Sequence, residues 1–315
     1  MEESPLTSIC PACEERGVFR TFVAREMMFG WRDRFTYCEC PRCGSVHIAQ
    51  VPADLARFYP SNYYSLVPPT EPQVWMRWLQ RAWAAWLIQS RGRLAGEIAR
   101  RVARKHPVFH WARLGRARFD SEILDVGCGS GGLLRRMQQF GFTRLAGVDP
   151  YLATEIDEPG LRIYRAELAA VKGNFDLIMM HHVLEHLVDP AAALKQARER
   201  LRAGGRILVR VPVAGSFAYR EYGADWYNLD APRHLCIPSV RGLNYLAQRA
   251  GLRVLHHEFD GTHLVFRMSD GYRRDIPSLH VPLWNRATRA HYRRRAARLN
   301  REGEGDMGVY VLGVD

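Results

Sequence analysis

The sequence predicts an α/β protein built on a doubly wound, mainly parallel sheet. A short apolar stretch, Ile123–Val126, leads into a glycine-rich turn and then into an apolar helical pattern. Similar apolar stretches alternate with helical patterns through residues 119–315, the predicted α/β domain. Because the connections between these stretches are short, successive strands are predicted to run parallel, with helices between them.

Seven strands are predicted in residues 119–315. Five lie near residues 122–126, 144–148, 161–165, 175–180 and 205–211, and two more near 253–259 and 309–314. A helix with a glycine stop is predicted over residues 239–251. A substrate loop at about 212–238 and a basic segment at about 271–305 interrupt the alternation.

The glycine-rich turn is the predicted ligand site. Gly127, Gly129 and Gly131 let a ligand approach the backbone, and the helix N-terminus that follows supplies free N–H donors. Asp149 ends the next strand about twenty residues later, where a carboxylate can bind both ribose hydroxyls of a nucleoside. An ordinary tight turn is one alternative, and an NAD-type fingerprint, completed by Gly132, is another.

Longer motifs favour one cofactor. Taken together, segments 124–131, 147–149, 175–186 and 204–209 resemble class I S-adenosylmethionine-dependent methyltransferases, whose sheet is Rossmann-like. The resemblance implies S-adenosylmethionine as the cofactor. It also implies the residues of the cofactor site, which are Asp125, Gly127, Cys128, Gly129, Gly131, Asp149, Glu167 and His181.

Two Cys-x-x-Cys motifs lie near the start of the chain. Cys10 and Cys13 form the first, and Cys40 and Cys43 form the second. Four thiolates at this spacing are typical of structural Zn²⁺, because they complete a tetrahedral shell and leave no open position. Residues 1–50 are therefore predicted to be a zinc-ribbon module with Cys38 as a spare thiol. Unligated or redox-active thiols are the alternative.

The segment after the ribbon adds a second resemblance. A Cys-x-x-Cys-Gly motif followed by Tyr59-Pro60 and Tyr63-Tyr64 is similar to bacterial methyltransferases that carry an N-terminal zinc ribbon. Many of those enzymes are associated with glycan or secondary small-molecule pathways. The resemblance thus favours a small-molecule or glycan-type acceptor.

Residues 51–118 are predicted to be a linker followed by basic amphipathic helices. Four tryptophans share one helical face, namely Trp75, Trp78, Trp83 and Trp86. We expect this face to pack on the catalytic domain or on a second subunit. Peripheral contact with an anionic membrane is the alternative.

Histidines follow the fourth predicted strand. His182, Glu185 and His186 would share one face of a helix. They can supply a general base for methyl transfer, or they can be packing and hydrogen-bonding residues. They can also bind a divalent ion, because the stretch is similar to the Glu-x-x-Glu-His of ubiquinone-pathway O-methyltransferases, with His182 in place of the first glutamate.

The predicted substrate loop resembles a segment of the same zinc-ribbon methyltransferases. Trp226 and Tyr227 are expected to stack on a substrate ring, Arg233 to hold an anionic group, and His234 to accept a proton. In the alternative, the loop packs on itself and Arg233 caps a helix or pairs with Asp230.

Composition limits the class of protein. A chain of 315 residues with a net charge of +12 can hold one large domain and a small module, and its charge favours anionic partners. Only three of the 45 basic residues are lysine, a bias that often reflects genomic base composition. The start of the chain lacks the features of a signal peptide, and no apolar run suits a membrane span, so we expect a cytoplasmic location.

Six arginines within residues 286–298 are expected to form a solvated helix, with a nucleic-acid patch as the alternative.

The combined prediction is S-adenosylmethionine-dependent methyl transfer to a small-molecule, sugar or glycan-type acceptor. Because hydroxyl and acidic C–H acceptors benefit from a base, the candidates His182, His186 and His234 favour O- or C-methylation. An RNA methyltransferase that uses the zinc ribbon and the basic surface is the main alternative. A non-catalytic scaffold is a further one.

Overall fold

A computed structural model describes residues 6–60, 77–89, 97–98, 102, 106–152 and 154–314. Its strands, in chain order, are β1 (Leu6–Ile9), β2 (Arg16–Arg25), β3 (Arg34–Glu39), β4 (Val46–Ile48), β5 (Ile123–Val126), β6 (Leu145–Val148), β7 (Ile156–Glu158), β8 (Leu161–Tyr164), β9 (Phe175–His181), β10 (Leu201–Pro212), β11 (Cys236–Ile237), β12 (Arg253–Phe259) and β13 (Met307–Gly313). Its α-helices are α1 (Arg77–Gln89), α2 (Pro107–Leu114), α3 (Gly132–Phe140), α4 (Pro190–Glu199), α5 (Phe217–Tyr222), α6 (Val240–Arg249), α7 (Leu264–Arg273) and α8 (Arg286–Arg301).

The chain folds into two compact units, each assembled from separate segments. The first unit contains Met1–Pro60, His182–Lys195 and Val209–Tyr310, and the second contains Ser61–His181, Gln196–Leu208 and Val311–Asp315. These units do not follow the predicted segments 1–50, 51–118 and 119–315. The chain therefore alternates between units several times.

The second unit holds the parallel strands predicted from the sequence. Their order is β9-β5-β6-β8-β7, and β9, β5, β6 and β8 all run parallel. The large sheet has eight strands among the described residues, whereas seven were predicted. The additional strand is β7, which is three residues long, pairs antiparallel with β8 and buries no residue fully. Too short to show a hydrophobic alternation, it had no signal in the sequence.

Helices of the second unit bury apolar side chains at helical spacing, although Trp86 of the predicted tryptophan face is 39% exposed. In α3, Leu134, Met137 and Phe140 recur at helical spacing and are buried. In α1, the Trp83 ring lies edge-on to Phe109 of α2, with 5.2 Å between ring centroids. Trp75 and the side chain of Trp78 lie outside the described residues. Among the described helices, none is long and apolar enough to cross a membrane.

The first unit is built on a five-stranded sheet in the order β1-β2-β3-β4-β11. The cysteine-rich hairpins supply four of these strands, and the predicted substrate loop supplies β11, which pairs with β4 through Ile237 opposite Val46. One hydrophobic core contains Tyr37 of β3 together with Trp226 and with Phe266 of α7. The predicted zinc ribbon is thus an integral part of this unit.

Candidate active site

The glycine turn of the second unit connects β5 to α3. Gly127, Gly129 and Gly131 all have positive φ angles, of 66°, 53° and 78°. L-residues with a Cβ seldom adopt such angles, which explains the glycines. Gly131 is the N-cap of α3 and has no side-chain capping bond, so the helix N-terminus keeps N–H groups that can serve an anionic or polar ligand.

Asp149 holds this turn in place. Its Oδ2 accepts a hydrogen bond from the Gly129 N–H at 2.9 Å, and its Oδ1 accepts one from the Tyr151 N–H at 2.8 Å. Each carboxylate oxygen retains a lone pair, so the same group can also accept ribose hydroxyls. The sequence predicted the ribose role, while the bond to Gly129 is visible only in the structure.

Asp125 lies in β5 and is almost completely buried. Burial raises the pKa of its carboxyl group to about 8, and the nearby charge of Asp149 raises it in the same direction. A carboxyl group in this state is a functional-site candidate, since a cationic ligand would favour its ionised form.

The other predicted cofactor residues are distributed around the same unit. Cys128 is partly exposed, and burial followed by the charges of Asp125 and Asp149 raises its pKa. Glu167 follows β8 and is exposed. His181 ends β9, where its ring lies 4.3 Å from that of Trp111 between centroids. These positions are compatible with the predicted contacts, which stay predictions.

The four predicted zinc ligands converge in the first unit. Their sulfurs lie within 4.8 Å of one another, and the Cys10–Cys43 and Cys13–Cys40 sulfur pairs are both 3.6 Å apart. A tetrahedral Zn²⁺ with zinc–sulfur bonds of about 2.3 Å needs sulfurs about 3.8 Å apart, so this donor set fits structural zinc. Cys38 is buried and does not belong to the cluster, as predicted.

The three candidate histidines belong to the first unit, and their partners define their tautomers. The Nδ1 atoms of His186 and His234 lie 2.9 and 2.8 Å from the carbonyl oxygens of Arg233 and Asn228. A carbonyl only accepts, so each Nδ1 carries the proton and each Nε2 presents a lone pair. His182 has φ of 56° and therefore lies outside regular helix, although its Nδ1 does lie 3.3 Å from Glu185 Oε1.

Glu185 is the buried anion of this cluster. Burial raises its pKa, but the hydrogen bond from His182 and the neighbouring imidazoles outweigh burial and lower the pKa to about 2. Burial lowers the pKa of His186 to about 4, so this imidazole is neutral at pH 7. Glu185, His186 and His234 bring three acceptor atoms within 4.8 Å of one another. Such a set can accept a proton or hold a cation, and it contains His234 where the predicted set had His182.

Two predicted substrate residues are buried and need correction. Trp226 is fully buried in the hydrophobic core beside Tyr219, so its ring cannot stack on a ligand. Arg233 is also fully buried, and it pairs with Asp230 at 2.6 Å and with Glu26 at 2.8 Å, which leaves it unable to hold a substrate anion. In the structure these two residues follow the self-packed alternative, in which Arg233 pairs with Asp230. Tyr227 is half-buried against Tyr272 of α7, and its stacking role stays a prediction.

Two residues of the site were missed in the sequence. Glu26 accepts hydrogen bonds from the backbone N–H groups of Met28, Phe29 and Trp31 as well as from Arg233. Nothing in its surroundings in the sequence distinguishes it from a surface glutamate. The Tyr59 hydroxyl lies 3.0 Å from His186 Nδ1. Its place in the Tyr-Pro motif was a usable signal.

A family model described as "Methyltransferase domain" matches residues 72–257, which is more than half of the chain. The chain belongs to this methyltransferase family. The match and the strand order agree with the resemblance to class I S-adenosylmethionine-dependent methyltransferases and with the predicted Rossmann-like fold. The NAD-type alternative loses its support.

Curated relatives match a shorter region. The ubiquinone biosynthesis O-methyltransferase of Cereibacter sphaeroides (strain ATCC 17025 / ATH 2.4.3) is 36% identical over 119 residues, covering 33% of this chain and 47% of the relative. The protein of that name from Caulobacter sp. (strain K31) is 38% identical over 108 residues, covering 30% and 42%. This chain thus spans about half the length of the curated relatives that it matches.

A solved methyltransferase aligns with this chain at low sequence identity. The structure of CalO1, a methyltransferase in calicheamicin biosynthesis in its SAH-bound form, aligns with a TM-score of 0.43 and 16% identity, covering 70% of this chain and 56% of the other.

Proposed function

We propose that this protein transfers a methyl group from S-adenosylmethionine to an oxygen of a small-molecule acceptor. The observation that carries the proposal is the glycine turn after β5, held by the bond between Gly129 and Asp149. Support for oxygen as the acceptor atom comes from the O-methyltransferase names of the curated relatives. More specifically, we propose that the acceptor is a sugar or a glycan-type molecule. We also propose that the protein is cytoplasmic.

S-adenosylmethionine, when bound, supplies an already activated methyl group. The Asp149 carboxylate, the Gly127 to Gly131 backbone and the first turn of α3 would hold its nucleoside part and orient it. Most of the advantage in such a displacement comes from alignment and from exclusion of water. The protein has little else to provide except a site for the proton of the acceptor hydroxyl.

His234 is the best candidate for that proton site. Its Nδ1–H bond to the Asn228 carbonyl fixes the ring, so Nε2 is the basic atom. This Nε2 lies 3.9 Å from Glu185 Oε1 and 3.9 Å from Asp230 Oδ2, and both carboxylates would stabilise the imidazolium that forms. Both nitrogens of His182 already have partners, because Nδ1 faces Glu185 and Nε2 faces the Arg210 guanidinium.

The test begins with calorimetry of S-adenosylhomocysteine and continues with methyl-labelled S-adenosylmethionine in fractionated bacterial extract. We expect binding heat, and label in small metabolites at an oxygen identified by mass spectrometry and NMR. Replacement of His234 by glutamine should lower turnover by about a hundredfold or more. The affinity for S-adenosylhomocysteine should stay unchanged. The control is His256→Gln, since His256 is 44% exposed on β12 and pairs only with Glu258 among the described residues.

Three results would contradict the proposal. Absence of binding heat would favour a non-catalytic scaffold, and label confined to RNA would favour the RNA alternative. Full turnover of His234→Gln would remove this histidine from the mechanism.

A further inference from the structure

The segment between α7 and α8 is firmly attached to the first unit. The Ser278 N–H donates to the Met27 carbonyl at 2.9 Å, and the Ser278 and Tyr272 hydroxyls lie 2.7 Å apart. The Val281 side chain lies directly against Gly271 of α7, where a Cβ would collide with it. Trp284 stacks on Tyr292 of α8, with 4.3 Å between ring centroids. The path of this segment is therefore set by contacts on both sides.

Between these attachments the segment exposes two leucines. Leu279 is 67% exposed and Leu283 is 86% exposed, which makes Leu283 the most exposed large hydrophobic side chain among the described residues. Single exposed leucines are common on protein surfaces. These two are unusual because neighbouring residues of the same segment point inward and keep both leucines in solvent. The contacts of the segment with the rest of the unit thus fix both leucines in an exposed position.

Helix α8 follows immediately, and the arginines are the charged side chains on its outer face. Residues 276–301 contain seven arginines and no acidic residue. At 100° per residue, the six exposed arginines span about half of the helix circumference, and the buried Ala296 and Leu299 lie on the other half. These six are Arg286, Arg289, Arg293, Arg294, Arg298 and Arg301.

Almost none of this charge is neutralised. Within the described chain, the only ion pair of these six arginines joins Arg298 to Glu302 at 3.7 Å. Arg267 of α7 adds a further cation nearby. Its charge and those of Arg289 and Arg293, together with burial, lower the pKa of His263. The arginines of α8 thus have a cationic companion on a neighbouring helix.

We propose that Leu279, Leu283 and the arginine face of α8 form a docking surface for an anionic lipid bilayer. Exposed apolar side chains beside a basic helix combine the two contributions that hold proteins at such a surface, insertion into the interface and attraction to anionic headgroups. RNA would use the arginines, but it gains from aromatic faces on which bases stack. Here Trp284 and Tyr292 stack on each other, and the side chains offered to a partner are leucines.

Vesicle co-sedimentation of the full chain tests this proposal, which does not depend on the methyl-transfer activity. We expect binding to vesicles of equal parts phosphatidylcholine and phosphatidylglycerol, and little binding to phosphatidylcholine alone. The affinity of the double variant Leu279→Ser/Leu283→Ser for anionic vesicles should be lower by at least about tenfold. Arg289→Glu/Arg293→Glu should also lose about tenfold or more, with a weaker salt dependence.

Two matched variants separate this surface from general effects. Leu255→Ser removes a 44% exposed leucine on β12, and Arg16→Glu/Arg20→Glu makes the same change in net charge on β2. Both should bind vesicles as the parent chain does. The proposal fails if Leu279→Ser/Leu283→Ser binds anionic vesicles as well as Leu255→Ser does. It also fails if the chain binds a single-stranded RNA through these arginines and does not bind vesicles. A third contradicting result would be that the two leucines hold two copies of the chain together in solution.

Discussion

Oε1 of Glu26 lies 2.8 Å from Nη2 of Arg233, and both side chains are completely buried. Glu26 follows a strand of the cysteine-rich sheet, whereas Arg233 lies in the predicted substrate loop. The backbone carbonyl of Arg233 in turn accepts the Nδ1–H of His186. An acidic residue of the ribbon is thereby linked, through one arginine, to the histidine cluster.

Arg233→Met is expected to destabilise the fold strongly. It would leave the Glu26 and Asp230 carboxylates buried without a cation, a change that costs about 3–5 kcal/mol in comparable buried pairs. Arg57→Met breaks an exposed pair with Asp33 and should cost less than about 1 kcal/mol. Urea denaturation measures both free energies of unfolding. Equal losses would show that the buried triad is not important for stability.

Gly131→Ala should damage the cofactor site more than Gly173→Ala. Both glycines have positive φ, but a Cβ at Gly131 would collide with Ile163, while a Cβ at Gly173 meets nothing within 4 Å. Gly173→Ala is therefore the control for an alanine placed at a positive φ away from the turn. We expect calorimetry to show S-adenosylhomocysteine affinity at least about tenfold lower for Gly131→Ala only. Similar affinities for both variants would argue against a tight turn at this position.

Purified protein should contain one zinc per chain, and Cys13→Ser should remove it. The four sulfurs of the cluster are buried and correctly spaced, and structural zinc sites contribute directly to folding. Cys38→Ser changes a buried thiol outside the cluster and should retain the metal. Elemental analysis by mass spectrometry gives the zinc content. Retention of full zinc by Cys13→Ser, or loss from Cys38→Ser, would disprove the ligand assignment.

The contribution of Asp125 to stability should fall as pH rises from about 4 to 8. Burial raises the pKa of this carboxyl group from 3.8 to about 8, so the folded state keeps a proton that the unfolded chain releases in that window. The stabilising contribution is complete below the unfolded pKa and is lost as pH passes the folded pKa. Asp306, with its pKa raised to about 7 by burial, acts in the same direction.

Asp125→Asn should therefore gain melting temperature relative to the parent chain as pH rises from 5 to 8, as thermal denaturation of both proteins would show. Asp157→Asn is the control, because Asp157 is 75% exposed. A slope that Asp125→Asn leaves unchanged would mean that this carboxyl group is ionised in the folded state.

Local patterns were sufficient for the parallel strands of the second unit, although not for β7. Strands β5, β6, β8 and β9 fall within about a residue of the predicted positions, because each is a short, continuous apolar stretch bounded by turns. The glycine turn and Asp149 were also predicted. Their roles depend on backbone conformation at the turn and at the end of β6, for which the glycines and the acidic residue after an apolar stretch are local signals.

The first unit required long-range information. Trp226 and Arg233 resemble substrate-binding residues because an aromatic ring and a cation in a loop suggest recognition, yet both are buried. The deciding partner of Arg233 is Glu26, 207 positions away along the chain. Strand β11 also depends on a distant partner, since its two residues pair with β4 near the start of the chain. It was therefore not predicted as a strand. Such contacts leave no periodic pattern.

The pairing of Glu26 with Arg233 also has a consequence for biosynthesis. At about 5–20 residues per second, the ribosome needs roughly 10–40 s to synthesise the 207 residues between them. During this interval the emerging amino-terminal segment lacks the counter-charge and the fifth strand that complete it. We expect a nascent chain released at residue 60 to be captured by chaperones or degraded, and expression of the ribbon alone to yield little folded material.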